Sequence, residues 1–113
     1  MPSPVYVPRR GDFVWLDFTP QSGHEQRGRR PALTLSHDNF NRSTGMVMVC
    51  PITNTNRGYP LHIAIPLTST LTGFVMVDQV KSLDYASRNA QFIEAADSGF
   101  IEDIADLVAQ CIR

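Results

Sequence analysis

No stretch of the chain comes near eighteen consecutive apolar residues, so no membrane-spanning helix is expected. The opening Met1-Pro2-Ser3-Pro4 is without the basic and then apolar segments of a secretory signal, and the expected address is the cytoplasm. Cysteine is scarce. Cys50 and Cys111 lie too far apart to read as a zinc or redox pair, and each is expected to be a small buried apolar residue. His24, His37 and His62 have no partner at ligand spacing, and neither HExxH nor a paired CxxC is present. No metal and no other cofactor is therefore expected. A Gly-x-Ser-x-Gly nucleophile elbow is missing, as is a glycine loop for nucleotide phosphates. Lysine is almost absent: of ten basic residues nine are arginine, and Lys81 is the exception. A net charge of −1 by itself argues against a nucleic-acid binder.

The 113 residues suit one domain with a single core, and 42% apolar with 19% charged residues is ordinary for a globular protein. Charge is unevenly distributed. Residues 1–83 carry eight basic and five acidic side chains, whereas residues 84–113 carry two basic and six acidic ones. That asymmetry predicts a basic front and an acidic back. Short apolar runs alternate with Gly/Pro/Asn turns. Strands are predicted over residues 12–18, 32–36, 46–51 (stopped by Pro51), 61–65, 73–83 and near 90–93. Both faces of the first are apolar, so it should be packed on both sides. Residues 36–42 read as a turn or one short helical turn. Ile101, Ile104, Ala105, Val108, Cys111 and Ile112 recur at helical spacing, with Asp97 or Ser98 available as the cap. A small closed or nearly closed barrel with a C-terminal helix is the expected architecture, spanning residues 1–113 as one domain.

Between the first two strands, Gly23-His24-Glu25-Gln26-Arg27-Gly28-Arg29-Arg30-Pro31 gathers an imidazole, a carboxylate, an amide and three guanidiniums. Either this is a solvated loop or it binds and acts. Further polar residues fall at strand ends, so that His24, Glu25, Arg30, Thr53, Asn54, Asp78 and Gln79 could meet on one rim of a barrel. A cation, a hydroxyl and one or two carboxylates there would suit a phosphodiester. RNA brings its own nucleophile, the 2′-hydroxyl. A protein needs only to take that proton, neutralise the five-coordinate phosphorane and protonate the leaving 5′-oxygen. General acid or base assistance contributes on the order of 10²–10⁴ in rate. This chemistry alone leaves open whether the rim cleaves a phosphodiester or merely binds one.

Order and spacing go further. Gly11-Asp12 before a Trp-containing strand, Gly23-x-Glu25-Gln26-x-Gly28-x-Arg30-Pro31, Phe40-Asn41, Val49-x-Pro51-Ile52-Thr53, Gly58-Tyr59-Pro60 and Asp78-Gln79-Val80-Lys81-Ser82 together resemble the MazF/PemK (Kid) toxins of bacterial toxin–antitoxin systems, most closely the MazF branch. The resemblance covers nearly the whole chain. It implies an SH3-like β-barrel with a C-terminal helix, a homodimer, and a sequence-specific, metal-independent endoribonuclease of single-stranded RNA, mainly mRNA. The implied products carry 2′,3′-cyclic phosphate and 5′-hydroxyl ends, and a cognate MazE-like antitoxin is the implied inhibitor. Position by position, the implied catalytic residues are Arg30, Thr53 and Glu25. RNA contacts are expected from His24, Arg27, Arg29, Asn54, Asp78 and Gln79. The PemK branch's additional arginine falls on Met76 here, so that branch's arrangement is not intact. Guanidinium does not readily lose a proton, which makes Arg30 the phosphorane's counter-charge and Glu25 or His24 the more suitable base. Two readings of other kinds are a CcdB-like gyrase poison on the same fold, acting through its terminal helix, and a non-catalytic RNA- or peptide-binding barrel.

Overall fold

The computed structural model describes residues 5–18 and 28–113. Seven strands and two helices follow in the order β1 (Asp12–Phe18), β2 (Gly28–Thr34), α1 (Asp38–Thr44), β3 (Met46–Thr53), β4 (His62–Ala64), β5 (Phe74–Met76), β6 (Lys81–Asp84), β7 (Gln91–Ala95) and α2 (Ser98–Ile112). All strand pairings are antiparallel. The sheet runs β4-β5-β3-β2-β1-β7, and β6 pairs with the first half of β3. This is the expected small SH3-like barrel with its C-terminal helix, although the ladder stays open, ending at β4 and β7 among the described residues.

The alternation along each strand divides the apolar residues between two cores. Phe13, Leu33, Cys50, Ile52 and Val75 face α2 and pack with Phe100, Ile101 and Ile104. Their neighbours in sequence, Val14, Leu16, Ala32, Val47 and Val49, face the other way and pack with Leu83 and Tyr85. A strand apolar on both faces is thus sandwiched, as the sequence of β1 predicts. Asp97 caps α2, its carboxylate accepting from the amides of Gly99 and Phe100. The helix buries only its first turns. Cys50 is buried, but Cys111 and Ile112 near the far end are exposed, contrary to the expectation of two buried cysteines. Periodicity extends the apolar stripe to residue 112, but α2 outruns the sheet beneath it.

Three strand predictions are corrected. β2 begins at Gly28 rather than residue 32, because Gly28 to Pro31 pair with Phe18 to Trp15 of β1. Half of the supposed charged loop is therefore ladder. β3 runs through Pro51 to Thr53. Pro51 lies where the β3 edge changes partner, from β6 (up to Val49) to β5 (from Ile52), so no ladder donor is needed at its nitrogen. The single strand predicted over residues 73–83 is two strands separated by a 3-10 turn, Val77–Gln79, which lets one segment serve both halves of β3. The helical turn predicted after β2 is α1. Its Asn41 is fully buried with both side-chain groups satisfied. Its amide donates to the carbonyls of Pro8 (2.8 Å) and Ser36 (3.1 Å) and its oxygen accepts from the Ser36 hydroxyl.

Candidate active site

β2 and β3 pair with Ala32 opposite Pro51, Leu33 opposite Cys50 and Thr34 opposite Val49. Continuing that antiparallel register by two residues sets Arg30 level with Thr53. Both belong to the face that carries Ala32 and Val49, opposite the one covered by α2. Across the next strands the register runs on, with Thr53 opposite Phe74 and Phe74 opposite Ala64. Arg30, Thr53, Phe74 and Ala64 thus form one row across four strands, roughly 14 Å long at the usual strand spacing.

Thr53 is half-buried, and its Oγ1 accepts a hydrogen bond from the Thr55 amide at 3.1 Å. A threonine hydroxyl that accepts one bond keeps its own hydrogen for donation. The neighbouring Asn54 is exposed, its Oδ1 accepting from the Thr72 hydroxyl at 3.3 Å. Close approach of β5 to this corner depends on Gly73. Its φ is +121°, and a Cβ there would lie 2.6 Å from the Thr53 carbonyl oxygen and 2.9 Å from Asn54 Oδ1.

The next row on the same face brings Met76 opposite His62. The His62 side chain is 4% exposed, and its Nε2 lies 3.4 Å from Asp78 Oδ1. Neither ring nitrogen has a hydrogen-bonding partner among the described residues. The ring of Tyr59, itself exposed, leans on His62 with centroids 4.9 Å apart. Asp78 and Gln79 fall in the 3-10 turn and Asp78 points its carboxylate at His62. They are neighbours of the Arg30–Thr53 row, not members of it. Tyr59 lies in the Gly58-Tyr59-Pro60 motif of the sequence, but neither it nor His62 nor Gly73 is expected at the site from sequence, because only the pairing of β3, β4 and β5 brings them there.

Arg29 turns the opposite way from Arg30. Its guanidinium donates to Asp17 Oδ1 (3.0 Å), to the Asn89 carbonyl (2.7 Å) and to Gln91 Oε1 (3.1 Å). Asn89 Nδ2 donates to the other Asp17 oxygen at 2.7 Å. The bond from Asn89, and after it that from Arg29, holds the Asp17 carboxyl below its usual range. His24, Glu25 and Arg27 lie outside the described residues. Among the described residues no group of three or more His, Cys, Asp or Glu could hold a metal ion, and no helix is long and apolar enough to cross a membrane. A hollow of about 90 Å³ lined by Phe13, Ser69, Glu94, Asp97 and Phe100 lies on the α2 side, away from the row. Beyond the buried Ala32 and Val49, the row is half-buried at Arg30, Thr53 and Phe74 and exposed at Ala64, a strip suited to a polymer more than to an enclosed small molecule.

A family model described as "PemK-like, MazF-like toxin of type II toxin-antitoxin system" matches residues 9–112. The endoribonuclease toxin MazF of Escherichia coli (strain K12) is 41% identical over 85 residues, which are 75% of this chain and 76% of that protein. The crystal structure of MazF from Deinococcus radiodurans superposes with a TM-score of 0.87 at 40% identity, covering 96% of this chain and 98% of that one. MazF in a MazE–MazF crystal structure from the same organism superposes with a TM-score of 0.86 at 37% identity, covering 95% and 97%.

Proposed function

The chain belongs to the PemK-like, MazF-like toxins of type II toxin–antitoxin systems, and from that premise we propose that it is an endoribonuclease that cuts single-stranded RNA, chiefly mRNA, at short specific sequences without a metal. The reaction is internal. The 2′-hydroxyl oxygen attacks the adjacent phosphorus and the P–O5′ bond breaks. One fragment ends in a 2′,3′-cyclic phosphate and the other begins with a 5′-hydroxyl. The observation that carries this reading is the β2–β3 register, which by continuation sets Arg30 and Thr53 level on one face.

Arg30 supplies the counter-charge to the phosphorane, its planar fork able to span two phosphoryl oxygens. Thr53, oriented by the Thr55 amide, donates its hydroxyl hydrogen to a non-bridging oxygen. Glu25 or His24 accepts the 2′-hydroxyl proton, the departing 5′-oxygen takes a proton from water, and Arg27 positions a neighbouring phosphate. Asn54, Asp78 and Gln79 contact the RNA bases beyond the scissile phosphate. Half-buried Phe74 and exposed Tyr59 add aromatic surface near the row, on which unpaired bases can stack.

The enzyme acts in the cytoplasm as a homodimer and is held inactive by a cognate MazE-like antitoxin, a partner supported by the MazE–MazF structures. An acidic antitoxin segment anchored by a few apolar residues would compete with RNA phosphate for the same guanidiniums. The test is incubation of the purified protein with a long RNA in excess EDTA, followed by mapping of the new ends. Discrete cuts with 5′-hydroxyl termini are expected. A requirement for Mg²⁺ or Mn²⁺ that persists on unstructured RNA would overturn the proposal, and so would the absence of any cleavage.

A further inference from the structure

Arg29 and Arg30 are consecutive, yet the strand sends them to opposite faces, and only Arg30 shares a face with Thr53. The fork of Arg29 meets three acceptors from two segments: Asp17 of β1, and the Asn89 carbonyl and Gln91 side chain where the turn enters β7. That turn is itself clasped to β1. The Asp17 amide donates to the Arg88 carbonyl at 2.9 Å, and Arg88 Nη1 donates to the Asp17 carbonyl at 3.2 Å. Asn89 holds φ at +55°, the one left-handed non-glycine among the described residues. There its carbonyl meets Arg29 while its side-chain amide reaches Asp17.

We propose that Arg29 is a positioning residue. Together with Asp17, Asn89 and Gln91 it fixes the start of β2, and through the shared backbone it holds Arg30 at the height of Thr53. This rests on the reading of Arg30 as the phosphorane's counter-charge. Two observations favour it over direct phosphate binding by Arg29. The guanidinium is already aimed at protein acceptors by charge-assisted bonds, and strand alternation turns it away from the Arg30–Thr53 face. An isolated surface ion pair contributes little. Here, however, the carboxylate takes one partner on each oxygen and the guanidinium serves three acceptors, so the orientation of β2 is over-determined.

The consequence is kinetic. A misplacement of about 1 Å at a reacting group costs on the order of 10²-fold in rate. Arg29→Met keeps the apolar stem and removes the fork. Asp17→Asn leaves a single oxygen where two donors now bind. Both variants should lower kcat for RNA cleavage by roughly 10–100-fold, with KM and the salt dependence of binding unchanged. The double variant should be no worse than Arg29→Met alone, since the two act as one unit. In each, the Arg30 Nε–Hε NMR resonance should shift or broaden while the amide spectrum of α2 stays put. Gln91→Ala, which deletes one acceptor, should give a smaller fall in kcat, and it carries the test if the larger changes impair folding.

Three results would overturn the proposal. One is a raised KM with a flattened salt slope and intact kcat, which would make Arg29 a phosphate ligand. The second is cleavage unaffected by any of the changes. The third is a loss of kcat that merely follows the unfolded fraction in a thermal melt. Arg30→Ala is the control. If it cuts RNA like the parent, the assignment of the site fails; if it is inactive while the Arg29 and Asp17 variants are fully active, only the positioning role fails.

Discussion

The two faces of β2 treat the same chemical group in opposite ways. On one face Arg29, although exposed, is engaged by protein partners, with a carboxylate, a carbonyl and an amide oxygen all within 3.1 Å. On the other, Arg30 lies level with Thr53, in a row of strand residues ending in an exposed alanine. One residue of sequence separates a guanidinium that ties β2 to β1 and β7 from one that shares a face with Thr53. Arginine content alone is therefore a poor guide to RNA contact, whereas position relative to the strand period is a good one.

The largest effect is expected from emptying the Arg30–Thr53 face. Arg30→Ala should lower kcat by roughly 10³-fold and Thr53→Ala by roughly 10²-fold, with little change in thermal melting, because neither side chain belongs to a core cluster. Single-turnover cleavage beside a melting curve checks both. A loss of activity no larger than the loss of folded protein would place the chemistry elsewhere.

A smaller effect should come from disturbing the corner under Thr53 without touching it. Gly73→Ala sets a methyl 2.6 Å from the Thr53 carbonyl at a φ of +121°. About 1–3 kcal/mol of stability should be lost, and cleavage should slow while the Arg29 face is unaffected. Denaturant unfolding and kinetics on the same preparation separate the two. An alanine variant as stable and as active as the parent would show that β5 does not govern the placement of Thr53.

The smallest effect belongs to the Arg29 face and is read in acid. The folded Asp17 carboxyl sits below its unfolded value, chiefly through the Asn89 bond and then the Arg29 bond. The folded state therefore binds fewer protons. The stabilisation is fully present above the ordinary aspartate pKa and disappears as pH falls through the folded value. Unfolding midpoints measured from about pH 6 downward should fall less steeply for Asp17→Asn than for the parent. Parallel curves would mean that the Asp17–Arg29 contact is not maintained in solution.

Much of this was legible in the sequence. Alternation over residues 12–18 marks a strand sandwiched between two cores, helical spacing finds α2, and the order of short motifs leads to the family. What was not legible depends on pairing. Glycine and proline at residues 28 and 31 read as a loop, yet the partner strand draws them into the ladder and thereby assigns Arg29 and Arg30 to different faces. Pro51 reads as a stop, but the change of partner along β3 removes the need for its missing donor. His62 reads as an isolated histidine, and only the pairing with Met76 and the 3-10 turn bring it to Asp78. Local sequence carries propensity and period; register is a property of two strands at once.

The most direct test exchanges one arginine at a time for lysine, which keeps the charge and removes the fork. Cleavage of one single-stranded RNA is followed in excess EDTA for Arg30→Lys and Arg29→Lys beside the parent. Arg30→Lys should lose at least about 10²-fold in kcat, since a point charge cannot span two phosphoryl oxygens. Arg29→Lys should retain much of the rate, because its amine can still bind Asp17. Cleavage by Arg30→Lys at the parental rate would contradict the account at its centre.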